Sequence, residues 1–371
     1  MKKILSGIIA VVSLSGSTLR ADDITRDSQE ALRIGAGPRP IPCTSLRAHL
    51  QRSTKETVWQ RDSLARFKST FITVDKNVKL EVVDWGGSGR PLVFLAGLGN
   101  NAHVFDQFAR RLTATYHVYG ITRRGFGASS APAPANGNYS ADRLGDDVLA
   151  VVNSLKLNRP VLVGHSIAGE ELSSIGSRYP DKVAGLIYLD AAYSYAYYDS
   201  SLGDLIIDSL ELGRKLEQLI PGMGPQDQKQ LVEELLQTSL PQLEKDLQEE
   251  QKKLQAMPAQ QQQPGGFSIP AQAVLAGQQK YTDIRVPILA IFAVPHDLGQ
   301  LFKDDPAARA AVEAVDSARS GAQAKAFEIA LPSAHVVRLA NADHYVFRSN
   351  EDDVLREIHD YRLIFRAVVI S

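Results

Sequence analysis

The chain has 371 residues, 44% apolar and 22% charged, with 27 glycines and 18 prolines. This is ordinary globular usage at a length suited to two or three domains or to one large core with an insertion, and it excludes collagen-like, coiled-coil-only and wholly disordered chains. Lys and Arg number 41 against 42 Asp and Glu, so no bulk cationic field draws a polyphosphate to the surface, and nucleic acid is not an expected partner.

At the N-terminus Lys2 and Lys3 precede an apolar run from Ile4 to Leu14, followed by small or polar residues. The run is well short of the roughly 20 residues of a bilayer span and has the layout of a secretory signal peptide over residues 1–21. The expected mature chain is secreted or periplasmic, with no stable membrane span. A cut after Ala21 places Leu19 at the third upstream position, so the cleavage signal is not clean and an uncleaved N-terminal anchor is the alternative. Residues 22–67 are polar and mixed, with a Gly/Pro/Arg-rich piece from Gly35 to Pro42 and a helix through Leu46, Leu50, Val58 and Leu64. They read as a helical or irregular extension outside the core. The single cysteine, Cys43, allows no intrachain disulfide and no multi-cysteine metal cage.

From Ser69 the pattern changes. Strand-like runs at Thr70 to Val74 and Val78 to Val83, followed by Gly86, Gly87, Ser88 and Gly89, predict a hairpin-like pair. Short apolar runs then alternate with helical periodicity: Leu92 to Leu95, a helix near Val104 to Leu112, Tyr116 to Ile121, a helix from about Ala141, and Val161 to Val163. Runs without polar alternation fit strands buried on both faces, with helices as parallel crossovers. Leu144, Val148, Val151 and Leu155 fall on one helical stripe, as do Ala168, Leu172, Ile175 and Tyr179. Leu186 to Leu189, Ile288 to Phe292 and Val336 to Leu339 complete the strands, and a final amphipathic helix runs from about Asp353 to Phe365. The rhythm breaks between Asp190 and Pro287. Helices near Asp204 to Leu219, Gln228 to Leu236 and Leu240 to Leu254, then a glutamine run at Gln260 to Gln263, make residues 191–284 a helical insertion between core segments 68–190 and 285–371.

The segment GHSIAG, Gly164 to Gly169, lies between a buried strand and a striped helix. A serine on such a tight turn projects its hydroxyl outward while the next backbone N–H faces the helix N-terminal anion site, so Ser166 is the candidate nucleophile. Serine needs a base, and the base needs an acid to fix its tautomer. Asp297 and His344 each follow a predicted strand, in VPILAIFAVPHD and HVVRLANADH, so a parallel sheet brings all three to one edge. No HExxH, P-loop or helix-opening GxGxxG string is present, so no metal, nucleotide or other cofactor is expected.

With PLVFLAGLGN, YGITRRGFGASS, GHSIAG, the Asp297 loop and NADHYVF, the sequence from about Ser69 to Ser371 resembles the α/β-hydrolase family. The resembled branch has a mostly parallel central sheet flanked by helices, with a helical cap inserted after the sixth strand. The resemblance implies Ser166 as nucleophile, His344 as base and Asp297 as orienting acid, with an oxyanion hole from the backbone N–H groups of Leu98 and Ile167. Asp190 is the rival acid, because some relatives place it at the end of the preceding strand. Three departures stand out: Ala96-Gly97 replaces the usual HG, Ala168 replaces the second glycine of GxSxG, and Ala293 replaces a glycine of the acid loop. Tyr193, with Tyr195, Tyr197 and Tyr198, is expected along the pocket wall, and His103 at its entrance or at a helix start. His165 is expected to be structural, Arg123 and Arg124 to brace a turn, and Glu170 and Glu171 to favour the start of their helix.

The expected function is a cofactor-independent serine hydrolase acting on a small-molecule carboxylic ester through an acyl-enzyme. The same triad serves aminopeptidases, C–C bond hydrolases and lyases, and a non-catalytic ligand-binding relative is the other alternative. A serine at this turn argues against dehalogenase and epoxide hydrolase chemistry, which use a carboxylate there.

Overall fold

The apolar runs become the strands of a single eight-stranded sheet in a computed structural model that describes residues 67–220, 228–256 and 266–367. The signal-peptide reading of residues 1–21, the extension over 22–67 except its last residue, Cys43 and the run Gln260 to Gln263 lie outside the described residues.

Strands β1 (Lys68–Asp75) and β2 (Val78–Gly87) form the expected hairpin. They are followed by β3 (Pro91–Leu95), β4 (His117–Ile121), β5 (Val161–His165), β6 (Gly185–Leu189), β7 (Ile288–Ala293) and β8 (Ala334–Leu339). The spatial order is β1-β2-β4-β3-β5-β6-β7-β8. The β1–β2 and β2–β4 pairs are antiparallel and the remaining pairs parallel. Every residue of β5, β6 and β7 is buried, as uninterrupted apolar runs between two helical layers must be. Their C-terminal ends lie along one edge, and that edge carries the site.

Helix α1 (Asp106–Leu112) follows a 3-10 turn at Ala102–Phe105. In α2 (Ala141–Ser154) the predicted stripe of Leu144, Val148 and Val151 is buried, and Ser140 caps the start by accepting the Arg143 N–H. Helix α3 (Ala168–Arg178) opens directly after Ser166. Between β6 and β7 come α4 (Leu205–Glu217), α5 (Gln228–Glu234), a π turn at Leu235–Ser239, α6 (Leu240–Ala256) and α7 (Ile269–Ala276). Leu212, Leu231 and Leu235 join these helices in a small apolar cluster of their own, while Ala271, Val274 and Leu275 of α7 pack with Phe126, Leu144 and Ile167 beside Ser166.

Three helices were not expected, the four-residue helix at Val346–Ser349 and two longer ones. Helix α7 is announced only by the cap Ser268 and by Pro270 in its first turn. Helix α8 (Pro306–Ala330) is 25 residues long and fills what read as connection between β7 and β8. Ten of its 25 residues are alanine, spread over buried and exposed positions alike, which favours helix strongly but leaves little amphipathic contrast. Asp305, accepting the Ala308 N–H, and Pro306 mark its start. The described residues end in α9 (Val346–Ser349) and α10 (Glu351–Ala367), the latter beginning close to the expected Asp353. Among the described residues no helix is long and apolar enough to cross a membrane.

Candidate active site

Ser166 stands on the turn from β5 to α3 with φ +55°, a left-handed conformation that a non-glycine residue holds only where its surroundings enforce it. The enforcement is visible on both sides. The Gly169 N–H bonds the Ser166 carbonyl at 2.9 Å. A side chain on Gly169 would put its Cβ 1.9 Å from the Ala191 carbonyl oxygen, and one on Gly97 would meet Ser166 Cβ at 3.0 Å. The smallness demanded by this turn therefore sits at Gly169, one residue beyond Ala168, and at Gly97 of the facing loop.

His344 lies in the loop after β8, and its Nδ1 donates to Asp190 Oδ2 at 2.7 Å. A carboxylate only accepts, so Nδ1 carries the hydrogen and a neutral ring keeps Nε2 as an acceptor. Asp190 terminates β6 with φ +47° and is fully buried. Its Oδ2 also accepts His296 Nε2 at 2.8 Å, and its Oδ1 accepts the Tyr193 hydroxyl at 2.8 Å and the Ala293 N–H at 3.1 Å. Burial opposes the charge on Asp190, but the bonds and charges of His296 and His344 prevail and hold its carboxyl well below the usual range.

Asp297, expected as the orienting acid, is not at the site. Its side chain is 51% exposed, accepts the Gly299 N–H at 2.9 Å and faces Arg309 at 3.7 Å. The reason is alternation. A short parallel bridge pairs His296 with Ala342, and the Asp297 N–H bonds the Ala342 carbonyl, so successive side chains point to opposite sides; His296 faces inward and Asp297 outward.

His296 was not singled out from sequence. Its Nδ1 lies 3.0 Å from both oxygens of Asp316, on α8, and its backbone N–H bonds Asp316 Oδ2 at 2.9 Å. Burial disfavours the imidazolium, yet Asp190 and Asp316 raise its pKa to about 10. Asp190, His296 and His344 present one potential metal ligand atom each within 4.8 Å, and hydrogen bonding among the three accounts for that closeness.

Tyr193, expected to touch substrate, spends its hydroxyl on Asp190 and approaches His296 Nε2 at 3.4 Å. Its neighbour Tyr195 takes the position beside the serine, within hydrogen-bonding reach of Ser166 and packed on the cluster that holds Ile167 and Leu98. His103 takes the helix-start place: it lies in the 3-10 turn, its ring nitrogens facing Asp106 at 3.2 Å and Glu81 at 3.4 Å. The backbone N–H groups of Leu98 and Ile167 bond no backbone acceptor among the described residues. Asn100 Nδ2 donates to the Tyr345 hydroxyl at 3.1 Å, tying the Leu98 loop to the His344 loop.

The buried bases and acids around the serine divide the supporting work. His165 donates from Nε2 to the His344 carbonyl at 2.9 Å, and burial, reinforced by His344, lowers it to about 3, so it stays neutral. Arg123 bonds Glu171 at 2.5 and 3.2 Å and the Ala96 carbonyl at 2.9 Å, bracing the loop before Leu98. Arg124 grips Asp147 with two bonds of 2.6 Å. Glu170 departs from its expected role: it is fully buried with both carboxylate oxygens unpartnered, and burial, then the charge of Glu171, pushes its pKa well above the usual range.

A model of the alpha/beta hydrolase family matches residues 92–357. The chain belongs to this family. This alpha/beta hydrolase is similar to a 2-(acetamidomethylene)succinate hydrolase of Mesorhizobium japonicum, 29% identical over 104 residues covering 28% of this chain and 36% of that protein. It is also similar to a fluoroacetate dehalogenase of Burkholderia sp, 34% identical over 116 residues covering 31% and 38%. The matched stretches thus span less than two fifths of those relatives. Among solved structures, a thermophilic esterase from Thermogutta terrifontis with malate bound aligns over 80% of this hydrolase and 99% of that chain, at 17% identity and a TM-score of 0.50. A membrane phospholipase A aligns over 99% of both chains, at 18% identity and a TM-score of 0.50. At such identities the likeness shows the fold.

Proposed function

We propose that this alpha/beta hydrolase is a cofactor-independent serine hydrolase of carboxylic esters, with Ser166 as nucleophile, His344 as general base and Asp190 as the acid that orients it. The observation that carries the reading is the 2.7 Å bond from His344 Nδ1 to a fully buried Asp190, at the sheet edge where Ser166 is held in a left-handed turn. In the first half-reaction Ser166 Oγ bonds the acyl carbon and its proton passes to His344 Nε2. The collapsing tetrahedral intermediate releases the alcohol, which takes that proton. Water then attacks the acyl-enzyme with His344 again as base, freeing the acid. The Leu98 and Ile167 amides would hold the oxyanion, a contribution of roughly 3 to 4 kcal/mol per donor in the transition state. The helices between β6 and β7 would serve as a cap that sets acyl and leaving-group preference, and the signal-peptide layout of residues 1–21 makes the reading one of an exported enzyme acting on a small-molecule ester.

A fluorophosphonate probe and a panel of p-nitrophenyl esters, aminoacyl anilides and a vinylogous diketone test it. Wild-type protein should be labelled and should turn over the esters, and Ser166→Ala should lose both. Labelling elsewhere with activity intact refutes the assignment, and turnover confined to the anilides or the diketone moves the reading to an amide or C–C bond hydrolase.

A further inference from the structure

The chain of hydrogen bonds behind the proposed triad does not end at its acid. Oδ2 of Asp190 accepts two imidazoles at once, His344 Nδ1 at 2.7 Å and His296 Nε2 at 2.8 Å. Beyond His296 stands a second carboxylate, Asp316, 3.0 Å from its Nδ1 with either oxygen. Building on the triad assigned above, we propose that His296, clamped by Asp316, is a positioning residue: it locks Asp190 in place and sets, through the charge it carries there, the pH at which His344 becomes free to act as base.

The locking follows from the bonding capacity of a carboxylate. Each oxygen offers two lone pairs. On Asp190 all four are engaged, two by the imidazoles and two by the Tyr193 hydroxyl and the Ala293 N–H. Rotation of the carboxylate would leave buried donors unpaired, which is unfavourable for each of them. His344 therefore meets a carboxylate with one available orientation.

The charge follows from the partners of His296. Both ring nitrogens face carboxylates, which accept and never donate, so both must carry hydrogen and the ring is an imidazolium. Its pKa of about 10 agrees. Other groups around the two imidazoles do not supply this charge. His344 faces Asp190 from the end of β6 and His165 from the end of β5, the latter neutral above about pH 3. The aromatic ring of Tyr345 stands beside it, and Arg348 of α9, packed over Tyr345, acts on His165. His296 faces Asp190, Asp316 from α8 and the Tyr193 hydroxyl, and burial and Asp190 keep that tyrosine neutral. A cation on the oxygen that His344 uses weakens the hold of Asp190 on an imidazolium at His344, and the base is released at lower pH than an unshared carboxylate would allow.

The test is the pH dependence of kcat/KM for p-nitrophenyl acetate, measured on the full chain between pH 5 and 10. His296→Gln keeps a neutral donor toward Asp190 and removes the charge. Its acidic limb should move upward by about one pH unit, a tenfold loss of kcat/KM below the limb, with plateau kcat within a few-fold of wild type. His296→Leu removes donor and charge together and should lower the plateau at least tenfold as well. An unmoved midpoint in His296→Gln overturns the proposal, whatever happens to its melting temperature. Should the variants not fold, imidazole 15N spectra of the wild-type chain decide: His296 should remain doubly protonated to pH 9, and a ring that has lost a proton at pH 7 overturns it. Fluorophosphonate labelling separates the two readings. A wild type that is not labelled at Ser166 defeats the triad, whereas a labelled wild type with an unmoved limb in His296→Gln defeats the role of His296 alone.

Discussion

His165 donates from Nε2 to the backbone carbonyl of His344 at 2.9 Å. The residue preceding the proposed nucleophile on β5 thereby fixes the loop that carries the proposed base, and their rings pack with centroids 4.6 Å apart. Only a neutral imidazole suits this place, because His165 is buried and its Nδ1 faces no partner among the described residues.

That arrangement has a cost in acid. Burial lowers His165 from 6.5 to about 3. Between those values the unfolded chain binds a proton that the folded chain refuses, so stability falls as pH drops, by up to about 1.4 kcal/mol per pH unit for one proton. His165→Gln retains a donor and cannot titrate. Urea unfolding at pH 4 and pH 7 should show a smaller difference for this variant than for wild type, and an equal difference would count against the neutral buried histidine.

The two aspartates that follow adjacent strands are expected to behave very differently. Asp190→Asn leaves His344 Nδ1 facing an amide that can present the wrong atom, and kcat should fall by about 10³ to 10⁴. Asp297→Asn alters an exposed group whose ion pair with Arg309 is long, and surface pairs of this kind contribute about 0 to 1 kcal/mol. Its kcat should stay within about twofold of wild type. Steady-state kinetics on the same ester reads both, and the reverse pattern would return the acid to Asp297.

Glu170 supplies a test of opposite sign in pH. Its folded pKa is raised by burial and then by Glu171. Above the ordinary value of 4.5 the unfolded chain releases a proton that the folded chain retains, so this group makes the protein less stable as pH rises. Glu170→Leu removes two unpartnered buried oxygens and should stabilise by about 1–3 kcal/mol at pH 8, with less gain at pH 5. Thermal melts at the two pH values check this, and destabilisation at pH 8 would mean that the carboxyl has work to do there.

Much of the site is written locally. The buried run Val161 to Val163, the small residues of GHSIAG and the stripe after it identify strand, turn and helix within about twenty positions, and the nucleophile candidate follows from that context alone. His344 is legible for the same reason, as a histidine just past an apolar strand. The choice of acid is not. Asp190 and Asp297 each follow an apolar run, and nothing within either segment says which side chain turns inward. The left-handed backbone at Asp190 and the bridge that pairs His296 with Ala342 decide it. Asp316 is hidden more deeply, because the helix that carries it is alanine-rich throughout and shows little periodic contrast.

The order of residues by itself determined the parallel core, the turn that presents Ser166 and the strand ends from which a base must come, because periodicity and turn chemistry act over a few neighbours. Only the tertiary structure decided which carboxylate meets His344, that His296 and Asp316 stand behind it, and that Tyr195 rather than Tyr193 approaches the serine. The contacts of Asp190 with His344 and His296 join segments more than a hundred positions apart, the others join separate elements of the fold, and the geometry of all of them depends on strand adjacency and on the sense in which each side chain leaves its backbone.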